Sequence, residues 1–415
     1  MTHNPLITND AVVLGLLALI LGTVFKTAHS SHPFWRKFYT YVPAVLLCYF
    51  IPSLLNTFGI ADGHSSNVYY VASRYLLPAC LVLLTISIDL KSIINLGPKA
   101  LIMFLTGTLG IVIGGPIAIL IMSALVPEAI GGHGPDAVWR GMTTVAGSWI
   151  GGSANQASMK EMFEVGGDIF SAMVTVDVIV ANLWLAVLLF MAAKHKEIDA
   201  KTGADTSAIE ELKVKVEEYQ AQNSKTPQLN DYIRMIAIAF TITGFAHFCA
   251  DFLGPYFGET FPWAKEFSLN SKFFWLVVIA TTIGISLSFT RVREIEAYGA
   301  SKVAQSFIYI LIASIGLHMN ILAIAETPIY FVIGAIWMLI HATLMLTVAK
   351  LIKAPLFYMA VGSQANVGGA ASAPVVASAF HPSLAPVGVL LAVLGYGVGT
   401  YMAYLCGLLM QAASG

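Results

Sequence analysis

Residues Gly147 to Gln156 read Gly-Ser-Trp-Ile-Gly-Gly-Ser-Ala-Asn-Gln inside a long apolar stretch. Far downstream, Gly362 to Ser372 reads Gly-Ser-Gln-Ala-Asn-Val-Gly-Gly-Ala-Ala-Ser, the same alphabet of glycine, serine and amide between hydrophobic segments. Paired glycines weaken a helix, and in lipid the N–H and C=O groups they free are tolerated only where they are buried in protein or line a polar cavity. Two such breaks in one chain point to one shared site.

The surrounding composition fixes the solvent. Of 415 residues, 57% are hydrophobic and 11% charged, with mean hydropathy +0.77. A soluble domain carries charge on about a quarter of its residues, so the chain reads as an all-α polytopic membrane protein. A formal net charge of -1 without a long basic run argues against a nucleic-acid partner. Cys48, Cys80, Cys249 and Cys406 stand singly in apolar stretches without metal or redox spacing, and are expected to be small core residues. The first ten residues hold no basic n-region, so the first apolar run is expected to be a retained helix rather than a signal peptide.

A spanning helix needs about 20 apolar residues. By that measure the segments fall near 11–26, 40–58, 69–90, 99–126, 139–163 and 167–193, then near 231–253, 270–290, 301–323, 328–350, 356–380 and 383–411. Between the sets, residues 194–228 are polar, with Ile209, Leu212, Val216 and Tyr219 at helical spacing, which predicts a short amphipathic helix over 207–222. The chain thus divides into a first repeat (1–193), a linker (194–228) and a second repeat (229–415). Leu77 to Ile93 also resembles Ser306 to Leu322, setting Asp89 opposite His318.

Lysine and arginine placement sets orientation. Arg36, Lys37, Lys91 and Lys99, the linker lysines, and Arg291, Arg293, Lys302, Lys350 and Lys353 all fall on one side only if the segments at 139–163 and 356–380 dip in and return. The expected topology is therefore ten crossings plus two broken or re-entrant segments, five crossings per half, with the N-terminus outside and the linker cytoplasmic. An odd number per half makes the repeats inverted. Lys265 and Lys272 fall on the wrong side of this scheme.

The first break offers Ser148, Gly151, Gly152, Ser153, Asn155 and Gln156 for binding, and the second offers Ser363, Gln364, Asn366, Gly368, Gly369 and Ser372. Broken helices present positive half-helix ends to anions and freed carbonyls to cations. The competing reading is tight helix packing through small residues. Asp177 stands mid-helix, with Asn182 five residues on. An acid there costs roughly 2.5–3.5 kcal/mol on insertion scales, so it is expected to face a polar pathway or a partner. Asn155, Asp177 and Asn366 together are candidate sodium ligands. His133 reads as part of a turn-rich loop, Arg140 as an interfacial charge or an anion attractor, and His341 as a hydrogen-bonded core histidine. No Walker A loop, His-Glu-x-x-His or Gly-x-Ser-x-Gly motif occurs, so no enzymatic activity and no cofactor are expected.

The two glycine motifs resemble those of the bacterial membrane-protein family labelled domain of unknown function 819, over nearly the whole chain. More distantly, the plan is similar to the sodium-coupled glutamate and 2-hydroxycarboxylate symporters and to the bile-acid and arsenite transporter superfamily. That resemblance implies a homodimeric, elevator-type secondary transporter coupled to sodium, with core and scaffold domains. The symporters' Gly-Gly-x-Gly is replaced here by Gly151-Gly152-Ser153-Ala154 and Gly368-Gly369-Ala370-Ala371, so their substrate does not carry over.

The expected function is cation-coupled transport of a small polar, anionic solute across a bacterial inner membrane by alternating access. A cation/proton antiporter resting on Asp177 is one alternative. A non-transporting membrane receptor or accessory subunit is another.

Overall fold

The computed structural model describes residues 5–42, 44–61, 63, 66–131, 134–204, 209, 226–265, 267, 269–318, 328–381 and 384–415. Among these no strand occurs beyond an isolated bridge between Ile7 and Ala61. The first half runs through α1 (Asp10–Ala28), α2 (Pro33–Tyr41), α3 (Ala44–Thr57), α4 (Val68–Ile86), α5 (Leu90–Asn95), α6 (Pro98–Leu125), α7 (Val138–Met162) and α8 (Gly167–Ala193). The polar stretch opens with α9 (His195–Thr202). The second half comprises α10 (Leu229–Thr260), α11 (Lys272–Ser288), α12 (Ala300–Gly316), α13 (Ile329–Leu351), α14 (Leu356–Val367), α15 (Gly369–Phe380) and α16 (Ala385–Ala413).

Each predicted apolar segment has a helix in its place. Among the described residues, α1, α4, α6, α8, α10, α13 and α16 are each long and apolar enough to cross a membrane, and two bent pairs raise these seven to as many as nine. The bent pairs are α2 with α3, at 90°, and α11 with the 3₁₀ turn Arg291–Tyr298, at 95°. At 17 residues, α12 is apolar but shorter. The predicted amphipathic helix at 207–222, apart from Ile209, and His133 lie outside the described residues.

The broken segments are where the fold departs from simple spans. Gly152 has φ 73° and ψ -169°, a region open in practice only to glycine, and α7 turns back on itself there. A straight helix of its 25 residues would hold its ends roughly 37 Å apart. Instead the guanidinium of Arg140 donates to the Phe163 carbonyl, and the Trp139 and Phe163 rings meet edge to face at 5.9 Å. The arms lie side by side, since a Cβ placed on Gly147 would stand 2.6 Å from the Asn155 carbonyl oxygen. The second segment repeats the form. α14 and α15 turn at Gly368 and at Gly369 (φ 57°), and Phe357 at one end packs edge to face on Phe380 at the other, 5.4 Å away.

Helix α16 works as a ruler between these two hairpins. Near its start, a Cβ on Gly388 would meet Ala373 of the second hairpin at 2.5 Å. At its middle, a Cβ on Gly395 would lie 2.6 Å from the Ile150 carbonyl and 3.6 Å from that of Ala365, so both tips converge there. Further on, Tyr404 stacks on Phe163 at the base of the first hairpin. The hairpins therefore approach the middle of α16 from its opposite ends.

The bases are tied down by polar contacts. At the first, Glu161 pairs with Arg74 at 2.7 Å, and Lys160 donates to the Tyr69 hydroxyl at 2.9 Å. Arg74 is carried on a π-helical stretch, Ala72–Leu76, of α4. At the second, the backbone N–H of Leu356 donates to Asp199 of α9 at 2.8 Å, satisfying one of the free donors at the start of α14. Burial pushes the Asp199 carboxyl above its ordinary range, against the opposing pull of that N–H and of His195.

Candidate functional site

Where the tips converge they enclose a cavity of about 220 Å³. From the first hairpin it is lined by Ser148, Gly152, Ser153 and Gln156, and from the second by Gln364, Gly368 and Ser372. Helix α8 adds Asp177 and Asn182. Nine of the fourteen candidate residues are thus brought to one space. Asn182 sits at its exposed edge, its amide donating to the Val178 carbonyl at 2.7 Å.

Asp177 is 6% exposed and is held by both arms of the first hairpin. The Trp149 indole N–H donates to its Oδ1 at 2.7 Å and the Gln156 amide to its Oδ2 at 3.0 Å, with the Ser148 hydroxyl as a further partner. The Tyr49 hydroxyl donates to Gln156 Oε1 at 3.1 Å, fixing which end of that amide faces the acid. No ion pair joins Asp177 to a basic side chain among the described residues. Three donors are thus aimed at one carboxyl.

Gln364 lines the same cavity from the second hairpin and is held differently. Its amide N–H donates to the Ser372 hydroxyl across the turn at 2.7 Å, whereas its Oε1 is buried without a hydrogen-bond partner. A buried unpaired acceptor costs about 1–3 kcal/mol.

The other five candidates are not at the cavity. Asn155 donates from Nδ2 to the carbonyls of Gly151 and Tyr396, both at 3.2 Å, and its Oδ1 accepts from the Thr400 hydroxyl at 2.6 Å. Asn366 makes the same set, donating to Gly362 and Phe104, both at 2.9 Å, and accepting from Thr108 at 2.8 Å. In each case the amide bonds the carbonyl four residues before it, then a carbonyl on another helix and the threonine one turn beyond. These brackets bind the first hairpin to α16 and the second to α6, and they leave neither amide a free donor for a ligand. Gly151 provides the close approach to α16, where a Cβ would meet the Gly395 carbonyl at 2.7 Å, and Gly369 provides the second turn. Ser363 is sealed in a buried chain. Trp184 donates to its Oγ at 2.8 Å, and His341 Nε2 lies 2.8 Å away while Nδ1 meets the Gly107 carbonyl at 3.1 Å. With Nδ1 donating to that carbonyl, Nε2 accepts from Ser363, so His341 is a hydrogen-bonded core residue.

The sequence reading did not single out Tyr49 and Tyr309, which also line the cavity. Trp149 stood inside the quoted motif, and an indole N–H beside a membrane acid was its available signal. Neither Asp89 nor His318 lines the cavity. Asp89 pairs with Arg293 at the start of α5, while His318 packs its ring on Tyr69 at 4.5 Å. Among the described residues, no group of three or more His, Cys, Asp or Glu side chains could hold a metal ion.

A helical chain with at least seven membrane-length apolar helices and two hairpins meeting over a buried acid is a multi-pass membrane protein. It belongs to the family described as protein of unknown function (DUF819), which it matches over residues 11–413. It is similar to the uncharacterized membrane protein YjcL of Bacillus subtilis (strain 168), 25% identical over 345 residues that cover 81% of this chain and 82% of that protein.

Proposed function

We propose that the protein is a secondary transporter that moves a small polar solute by alternating access, coupled to a cation, with sodium the first ion to test. The observation that carries this reading is the meeting of two helical hairpins, approaching from opposite ends of α16, over one cavity that holds a buried carboxyl. A pseudo-symmetric pair of tips supplies the same contacts to a ligand reached from either side, which is the geometric requirement for alternating access around a fixed site. In this reading the two halves are inverted repeats. The hairpins with α6, α8, α13 and α16 form the core that moves against a scaffold of the remaining long helices. The protein sits in the bacterial inner membrane as a homodimer with its N-terminus outside. Asp177 also favours a second reading, a cation/proton antiporter, because one membrane acid without a basic partner is enough for exchange of a cation against a proton.

The test is uptake into proteoliposomes under imposed sodium and pH gradients. Solute accumulation that follows the sodium gradient, and falls at least tenfold in Asp177→Asn, is the expected result. Cation exchange driven by a pH gradient with no solute selects the antiporter. Tight binding without flux under either gradient would falsify both.

A further inference from the structure

The sign of the charge that this cavity accepts can be read from its walls. Among the described residues lining it, Asp177 is the only charged side chain. Each hairpin turn brings the C-terminal end of one half-helix and the N-terminal end of the next to the same place. Their partial charges, about half an elementary charge of opposite sign on each end, offset one another within each turn. What remains is the carboxylate. Tyr49 and Tyr309 also line the cavity, and aromatic rings attract cations.

The size and texture of the wall narrow the ligand further. At about 220 Å³ the cavity offers more space than one bare ion needs. Val45, Val174, Leu185 and Val367 form an apolar wall that contributes only to a ligand with carbon on it.

From this we infer that the ligand of the hairpin cavity is a small organic cation carrying a primary ammonium group, rather than an anion. The ammonium donates to the Asp177 carboxylate, and its carbon skeleton lies on the valine and leucine wall. A quaternary ammonium carries the same charge but has no N–H to donate to the carboxylate. The inference rests on the transporter reading only for the site's purpose, since the binding it states is an equilibrium property.

Calorimetric titration of the purified full-length protein, using ethylammonium, ethanolamine, tetramethylammonium, sodium and lactate as probes, tests it. The primary ammonium ions are expected to bind at least tenfold more tightly than tetramethylammonium, and lactate is expected not to bind. Asp177→Asn, which keeps an oxygen for Trp149, should lose at least tenfold in affinity for the primary ammonium ions. Moving the carboxylate within the cavity in Asp177→Asn/Ser153→Asp, at a lining position that is only partly buried, should restore most of the loss, which a merely structural role for Asp177 would not do. Lactate binding in place of ammonium, sodium binding with no ammonium binding, or equal ammonium affinity in the parent and Asp177→Asn each overturns the inference. Gradient-driven flux of an anion would overturn it while leaving transport intact. Ammonium binding without flux under any gradient would do the reverse.

Discussion

The two hairpins are built alike and finished differently. Both turn at paired glycines, both bring their ends together through aromatic contacts, and both are fastened to a neighbouring helix by an asparagine making the same three hydrogen bonds. Their cavity faces then diverge. The first surrounds a charged group with donors from Trp149 and Gln156, whereas the second presents a neutral amide whose oxygen is unmet. Asn155 follows its glycine turn and Asn366 precedes its own, so the bracket falls on opposite arms. The difference teaches that the fastening and the recognition are separable. One can be common to both halves while the other is carried mainly by one.

Substitutions can break that comparison. The largest effect is expected at the brackets. Asn155→Ala takes the acceptor from the buried Thr400 hydroxyl, Asn366→Ala leaves Thr108 its longer bond to the Phe104 carbonyl, and both unpair interhelical contacts, so each should cost about 2–4 kcal/mol, using about 1–3 kcal/mol for leaving buried polar groups unmet plus lost packing. Thermal unfolding in detergent should show similar drops for the two. If one variant unfolds like the parent, the brackets are not equivalent.

Next come the turns. Gly152→Ala forces a side chain into a conformation reserved for glycine and should cost about 1–3 kcal/mol. Gly369→Asn should cost less, about 1 kcal/mol, because φ 57° is open to asparagine and no atom lies within 4 Å of the added Cβ. Equal midpoints for the two variants would show that the turns are under the same constraint after all.

The smallest expected effect lies outside both hairpins and serves as a control. Burial opposes ionisation of Asp89, but the Ser92 N–H and hydroxyl and the Arg293 guanidinium outweigh it and hold the carboxyl below its ordinary range. A folded-state value below the unfolded one means that the stabilisation is fully present above the unfolded pKa of about 4 and is lost as pH falls through the folded value. Asp89→Asn should therefore flatten the acid limb of a stability-against-pH curve and leave neutral ligand binding unchanged. An acid limb as steep as the parent's would remove the Asp89–Arg293 pair from the stability account.

Much of this architecture was legible in the sequence because its causes are local. Apolar length specifies the long helices, Gly151-Gly152 and Gly368-Gly369 specify the turns, and an acid in a run of valines marks Asp177. The count of lysines and arginines also called for segments that return, and the closed bases at Arg140–Phe163 and Phe357–Phe380 have that form. What could not be read was the assignment of polar residues within a motif. Asn155 and Gln156 are adjacent, yet one braces α16 and the other holds the acid. The direction each side chain takes is decided by Tyr396 and Thr400 in one case and by Tyr49 and Asp177 in the other, all distant in the chain. Ser363 and Gln364 diverge for the same reason, through Trp184 and His341 on one side and Ser372 on the other.

Helix α16 has a consequence in electrical terms. From Gly388, against Ala373 within the second hairpin, to Gly407, against Phe163 of the first, it rises about 28 Å at 1.5 Å per residue, close to the roughly 30 Å thickness of a bilayer's hydrocarbon core. The tips meet near its midpoint, so a charge held at Asp177 sits at about half the electrical depth of the membrane. A full crossing is worth roughly 2.3 kcal/mol per elementary charge per 100 mV, which leaves about 1.2 kcal/mol per 100 mV for a monovalent cation entering this cavity from either face. That step is downhill from one face and uphill from the other, so the compartments differ by the full value of about 2.3 kcal/mol, and voltage alone would make the site tighter toward one of them by roughly 40- to 50-fold per 100 mV, before any ion gradient is applied.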